Sequence, residues 1–215
     1  MIFNIMAAGP TAYIPPLDKF LQEDSKWIGV DRGALYLMKR NIPILASFGD
    51  FDSVNDTERE QINSYSDEVK LFKPEKDETD MELAINWAIS KGVKKIRVFG
   101  ATGGRMDHTF ANLQLLLKYV TESPQVDVEI IDEKNTVTIA KAGSYKLKKE
   151  EAMPYVSFFP YGAKIIGLTL EGFKYPLIDR DLPVSSTLCI SNEIIEEYGT
   201  FSFVSGILMV IRSHD

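Results

Sequence analysis

The chain has 215 residues, with 24 Lys plus Arg against 31 Asp plus Glu, a formal charge of −7 at neutral pH and 45% hydrophobic residues. This balance excludes intrinsic disorder and a general phosphate-backbone binder, which needs a basic face to displace counterions, but not a nucleotide held by a few local cations. Cys189 is the only cysteine, so an intrachain disulfide and a cysteine-rich zinc site are excluded; with no run of 18 apolar residues and no basic start before Ile2 to Ala8, the expectation is a soluble cytoplasmic protein, with no nucleic acid or membrane as partner.

Up to about residue 120, short apolar runs alternate with segments of helical period, the pattern of βαβ units around a mostly parallel sheet. Ile2 to Ala8 reads as a strand stopped by Gly9-Pro10, Ile14 to Gln22 as a helix, and Trp27 to Val30 as a strand ending at Asp31. A short helix follows Gly33, a strand Ile44 to Phe48 stops at Gly49, a polar helix spans about Thr57 to Tyr65, and Val69 to Phe72 reads as a strand. From Met81 the apolar positions share one helical face until Gly92; Ile96 to Phe99 is the next strand. A helix from about His108 to Tyr119 is expected to turn Phe110, Leu113, Leu116, Leu117 and Val120 to a core. Beyond Ser123-Pro124 the pattern changes to short strands, Val126 to Ile131, Thr136 to Ala140, Ser144 to Leu147, Val156 to Phe159, Ile165 to Leu170 and Phe201 to Val204. The expected architecture is therefore an α/β domain over residues 1–122, with helices flanking its mostly parallel sheet, followed by an all-β sandwich over 123–215.

Chemistry-bearing residues gather where strands end, which in a parallel sheet is the ligand-binding edge. Asp50 and Asp52 stand at i and i+2 after Gly49, so an extended loop can point both carboxylates one way around Mg²⁺; a solvated turn is the plainer alternative. Lys73 to Asp80 precedes a helix, and its residues serve either as caps, with Asp77 or Thr79 at the N-cap, or, through Lys73 and Lys76, as charge for a polyphosphate. Gly100-Ala101-Thr102-Gly103-Gly104-Arg105-Met106-Asp107-His108 is a glycine loop running into a helix start, suited to an anion but matching neither a Walker A nor a dinucleotide fingerprint. Asp31-Arg32-Gly33 adds a fourth strand-end acid. Acids at successive strand ends point jointly to metal-assisted phosphoryl-type transfer.

These stretches resemble the thiamin pyrophosphokinases: Gly49 to Ser53, Asp77 to Asp80 and Gly100 to His108 look like that family's signature segments in order, and Ser191-Asn192-Glu193 is similar to its thiamin-side element. The resemblance implies transfer of a pyrophosphoryl group from ATP to the hydroxyl of thiamin, giving thiamin diphosphate and AMP, with Mg²⁺ required. It implies Asp50, Asp52 and Asp80 as metal carboxylates, with Asp31 and Asp107 lining the same acidic centre as catalytic residues. Lys76, Thr79, Gly103, Gly104, Arg105 and His108 would face ATP, and Ser191 and Asn192 thiamin, in a homodimer with thiamin near the subunit interface. The first domain would be catalytic and the second would bind thiamin and dimerise. The alternatives are another Mg²⁺-dependent phosphotransferase acting on a heterocyclic alcohol, and a non-catalytic thiamin or nucleotide sensor.

Overall fold

The computed structural model describes residues 1–51, 54–71 and 77–215. It divides into two compact units, Met1–Glu133 and Lys134–Asp215.

In the first unit, β1 (Ile2–Met6), β2 (Ser25–Val30), β3 (Ile44–Gly49), β4 (Ser66–Leu71), β5 (Lys95–Phe99) and β6 (Asp127–Ile131) form a sheet in the order β6-β5-β1-β2-β3-β4, with every pairing parallel. The chain steps from β1 out to β4, then returns to the other side of β1 for β5 and β6. Because parallel crossovers are right-handed, this reversal puts α1 (Asp18–Leu21), α2 (Arg32–Met38) and α3 (Asp56–Tyr65) on one face, and α4 (Asp80–Ser90) and α5 (Met106–Glu122) on the other. On the first face Ile14, Phe20, Trp27, Leu37, Ile62 and Phe99 share a core. On the second, Trp87 of α4 packs on Phe3 and Phe48, and Tyr119 of α5 donates to the Glu82 carbonyl and Asn86 Oδ1. Burial of the Tyr119 hydroxyl raises its pKa above the ordinary phenol value.

Local chemistry sets the helix starts. Asn55 and Glu58 form a reciprocal capping box on α3, and Thr79 Oγ1 accepts from Glu82 N at 3.1 Å to cap α4. The helix expected over Ile14 to Gln22 is reduced to a 3₁₀ turn at Thr11–Tyr13 and the single α turn of α1. Pro15 and Pro16 explain this, since each disfavours the α conformation in the residue before it. Phe110 is exposed rather than core-facing; Leu115, Leu116 and Tyr119 carry the buried stripe of α5. The strand expected to open the sandwich, β6, instead extends the parallel sheet, so the compact units part at Glu133/Lys134 rather than near residue 122.

The second unit contains β7 (Asn135–Lys148), β8 (Tyr155–Pro160), β9 (Ile165–Glu171), β10 (Leu177–Leu182), β11 (Asn192–Glu193) and β12 (Tyr198–Ser213), and no helix among them. β12 pairs antiparallel with β7 along its length, with β9 through its first half and with β8 through its second. The change of partner falls at a bulge between Phe203 and Ile207, where Gly206 has φ +106°, a bend that lets one strand pair first with β9 and then with β8 around a core of Phe158, Leu168, Phe173, Phe201 and Leu208. Cys189 lies in that core on a turn, and burial raises its thiol pKa.

Candidate active site

All six strands of the first sheet run the same way, so the segments that follow them share one edge. The strand order reverses at β1/β5, and a crevice at this edge lies between the loop Ala7 to Thr11 and α2, with the glycine loop after β5 on the other side of that loop. The two loops touch: Gly9 N donates to Gly100 O at 2.8 Å, and a Cβ on Gly9 would stand 2.3 Å from that oxygen. A Cβ on Gly103 would fall 2.3 Å from the Tyr13 ring, so both glycines are required by close approach.

Next to this crevice, Asp31 follows β2 with φ +50°, an unusual conformation for a side-chain-bearing residue, held by donation from its N–H to Phe48 O at 2.8 Å. Its carboxylate lies over Gly49: a Cβ there would come 2.2 Å from Asp31 Oδ1, so glycine at 49 makes room for the acid. Asp31 and Asp50 thus follow adjacent strands, β2 and β3, at the same edge of the sheet. The neighbouring Phe51 also has positive φ, at +57°, with its ring buried as an anchor for the loop. Asp80 occupies the first turn of α4, whose N-terminus topology brings to the same edge, and Thr79 caps that helix. Asp52 and Lys76 lie outside the described residues.

At the start of α5, Arg105 donates to Asp107 through Nε at 3.1 Å and Nη2 at 2.6 Å, and Asp107 Oδ1 also accepts from His108 N. The Arg105 hydrogen bond lowers the Asp107 carboxyl pKa below its ordinary value. This pair stands exposed beside Gly103 and Gly104, presenting backbone amides and a guanidinium at a helix start. Among the described residues no group of three His, Cys, Asp or Glu side chains is close enough to hold a metal ion. Mg²⁺ does not require one, since it takes one or two carboxylates and fills its octahedron with water and phosphate oxygens.

In the second unit, Ser191 has φ +54° and its N–H donates to Ser157 Oγ. Asn192 is 2% exposed. Its Oδ1 accepts from Tyr175 N at 3.0 Å and Glu193 N at 2.9 Å, while Nδ2 donates to Tyr175 O at 2.8 Å. Both carboxamide lone pairs are therefore engaged in the fold, and the side chain locks the backbone of an exposed tyrosine.

Sequence reasoning overlooked two features of the crevice. Thr102 Oγ1 donates to the buried Asp132 Oδ2 at 2.7 Å, fastening the glycine loop to the end of β6. Asp132 follows an apolar strand just as Asp31 does, and that was the available signal. Arg32 and Tyr36, on one stripe of α2, and Arg40, two residues beyond its end, line a cleft beside Gly9.

A parallel α/β unit with strand-end acids and a glycine anion loop, followed by a β unit, defines a nucleotide-using transferase with a second substrate-binding module. Residues 17–130 match the family model described as thiamin pyrophosphokinase, catalytic domain, and residues 144–208 the one described as thiamin pyrophosphokinase, vitamin B1 binding domain. The chain belongs to the thiamin pyrophosphokinase family. It is 44% identical to thiamine pyrophosphokinase of Bacillus subtilis over 212 residues, covering 99% of this chain and 98% of that one. The crystal structure of the Bacillus subtilis enzyme superposes with a TM-score of 0.93 at 43% identity, each chain covered completely. That of the Geobacillus thermodenitrificans enzyme gives 0.91 at 42%, covering 100% of this chain and 98% of that one.

Proposed function

We propose that the chain transfers a pyrophosphoryl group from ATP to the hydroxyl of thiamin, yielding thiamin diphosphate and AMP, with Mg²⁺ as the metal. The observation that carries the reading is the placement of Asp31 over Gly49, beside Asp50, at the carboxyl edge that also bears the glycine loop. Asp50, Asp52 and Asp80 hold the metal, and Asp31 and Asp107 line the same acidic centre. The amides of Gly103 and Gly104, with Arg105, His108, Thr79 and Lys76, receive the phosphates. Bound Mg²⁺ neutralises charge on the triphosphate and on the group in transfer. The thiamin hydroxyl oxygen bonds to the β-phosphorus as the bond from that phosphorus to the α,β-bridging oxygen breaks, and AMP departs; an aspartate of the centre accepts the hydroxyl proton.

On the thiamin side, Ser191 contacts the substrate directly and Asn192 acts through Tyr175. The exposed Tyr175 ring suits a flat heteroaromatic cation. Asn192→Ala is expected to raise KM for thiamin about tenfold and leave KM for ATP within twofold, because a displaced Tyr175 would weaken one substrate only. A rise in neither constant removes both residues from the thiamin site.

The functional assembly is a homodimer. Support comes from β10, an edge strand that among the described residues pairs with β9 alone and where Ile178 is 86% exposed, and from exposed Val204 on β12, on the other side of β9. No described helix is long and apolar enough to cross a membrane, and with one buried cysteine a reducing cytoplasm is the assigned compartment.

Incubation of the purified chain with ATP, Mg²⁺ and thiamin is expected to give AMP and thiamin diphosphate in equal amounts by chromatography, and the same preparation to sediment as a dimer. ADP with thiamin monophosphate would instead mean attack at the γ-phosphorus; tight binding without turnover would mean a sensor.

A further inference from the structure

From Gly100 to Gly104 each residue of the glycine loop after β5 is held by a different neighbour. Gly100 O accepts from Gly9 N at 2.8 Å, and Ala101 O accepts from Asn112 Nδ2 at 3.0 Å. Thr102 Oγ1 donates to Asp132 Oδ2 at 2.7 Å. Gly103 lies against the Tyr13 ring, and a Cβ on Gly104 would stand 3.4 Å from Pro10 Cδ. The first two carbonyls are thus turned back into the protein, whereas among the described residues the N–H groups of Thr102, Gly103 and Gly104 donate to nothing. Gly100 and Gly103 have φ of +65° and +80°, so the loop has little stiffness of its own and takes its shape from these anchors.

One anchor differs from the others. Thr102–Asp132 is the hydrogen bond of the set that joins two side chains, and Asp132 is 7% exposed, so the bond sits where a low dielectric strengthens it. The next residue, Glu133, donates through its N–H to Tyr13 O at 2.9 Å. The Gly9–Gly100, Thr102–Asp132 and Glu133–Tyr13 bonds therefore close a ring through the segments that follow β1, β5 and β6, three adjacent strands of the sheet. Asp132 stands at the same carboxyl edge as Asp31 and Asp50, but its Oδ2 is committed to a hydroxyl within the fold.

We infer that Asp132 is a positioning residue for the transfer: through Thr102 it fixes the unengaged amides of the glycine loop where the polyphosphate lies. This rests on the pyrophosphokinase reading. Amides held in place before the reaction stabilise developing charge without reorganising, and a misplacement of about 1 Å can cost about 10²-fold in rate. Asp132 contributes in this way without touching substrate or metal.

The test compares full-length wild type, Thr102→Val and Thr102→Ser by calorimetric titration with inorganic tripolyphosphate in the presence of Mg²⁺ and by steady-state kinetics. Thr102→Val keeps the shape of the side chain and removes the hydroxyl. It is expected to weaken tripolyphosphate binding about tenfold and to lower kcat/KM for ATP about 10–100-fold, with KM for thiamin within twofold of wild type. Thr102→Ser, which keeps the hydroxyl, should return both affected quantities to within about threefold of wild type. In an Asp132→Ala background Thr102→Val should change neither by more than about twofold, because the hydroxyl has already lost its partner. A Thr102→Val effect undiminished in that background overturns the role of Asp132. So does unchanged tripolyphosphate affinity in Thr102→Val, or an equal rise of KM for both substrates, which marks general damage to the fold. If the wild type makes no thiamin diphosphate yet Thr102→Val weakens tripolyphosphate binding and Thr102→Ser restores it, the positioning role stands and the reaction assignment falls.

Discussion

Asp80→Asn is expected to lower kcat by about 10²–10³-fold, the range seen when one preorganised electrostatic group is removed from a transition state. The substitution keeps the shape of the side chain and removes its charge. Its cost to the fold is small, because a first-turn acid contributes only about 0.3–1 kcal/mol through the helix dipole and Thr79 still caps α4. The variant should therefore unfold within a few degrees of the wild type while needing more Mg²⁺ for half-maximal rate. Asp77→Asn, three residues earlier and outside the proposed centre, provides the control for charge in the same loop. Activity of Asp80→Asn equal to wild type, with unchanged Mg²⁺ dependence, removes Asp80 from the metal site.

The strand-end acids were readable in the sequence because each depends on local order: an apolar run, a break, then a carboxylate. Asp31 after Val30 and Asp50 after Gly49 need no distant partner to be recognised, and the parallel sheet then brings them to one edge. Thr79 was one of two caps, with Asp77, that local order offered for α4, and the structure selects it. What escaped depends on pairing across long stretches of chain. The Thr102–Asp132 bond joins residues 30 apart, and the Asn192–Tyr175 clamp joins residues 17 apart. An Asn beside a Ser reads the same whether its amide faces a ligand or a backbone. β6 shows the limit for the fold itself: Val128 to Ile131 has the composition of any buried strand, and only its register with Ile96 to Phe99 assigns it to the parallel sheet. In the second unit β7 was legible as two pieces and β12 only around Phe201 to Val204, since the bends at Gly143 and Gly206 break the alternation inside them, and the exposed, charged β10 was missed.

Gly33→Ala is expected to be the most damaging single methyl in the first unit. A Cβ at Gly33 would stand 2.0 Å from Met6 O and 2.6 Å from Met6 C, and these are backbone atoms of a central strand that no rotamer change can move. α2 must shift away from β1, opening the contacts of Ala34, Leu35 and Leu37 in the core beneath it. Forced overpacking of this kind costs about 2–3 kcal/mol, or roughly 5–10 °C in Tm for a chain of this size. The same shift displaces Asp31, the residue that precedes α2 and belongs to the proposed acidic centre, so stability and affinity for ATP should fall together. Gly92→Ala makes the contrast. Its φ of +74° strains an alanine by about 1 kcal/mol, but its Cβ would meet nothing within 4 Å, and kinetics should not change. Thermal denaturation of the two variants, with KM for ATP measured on each, checks the pair. A Gly33→Ala protein as stable as Gly92→Ala would mean that α2 is free to move away from β1.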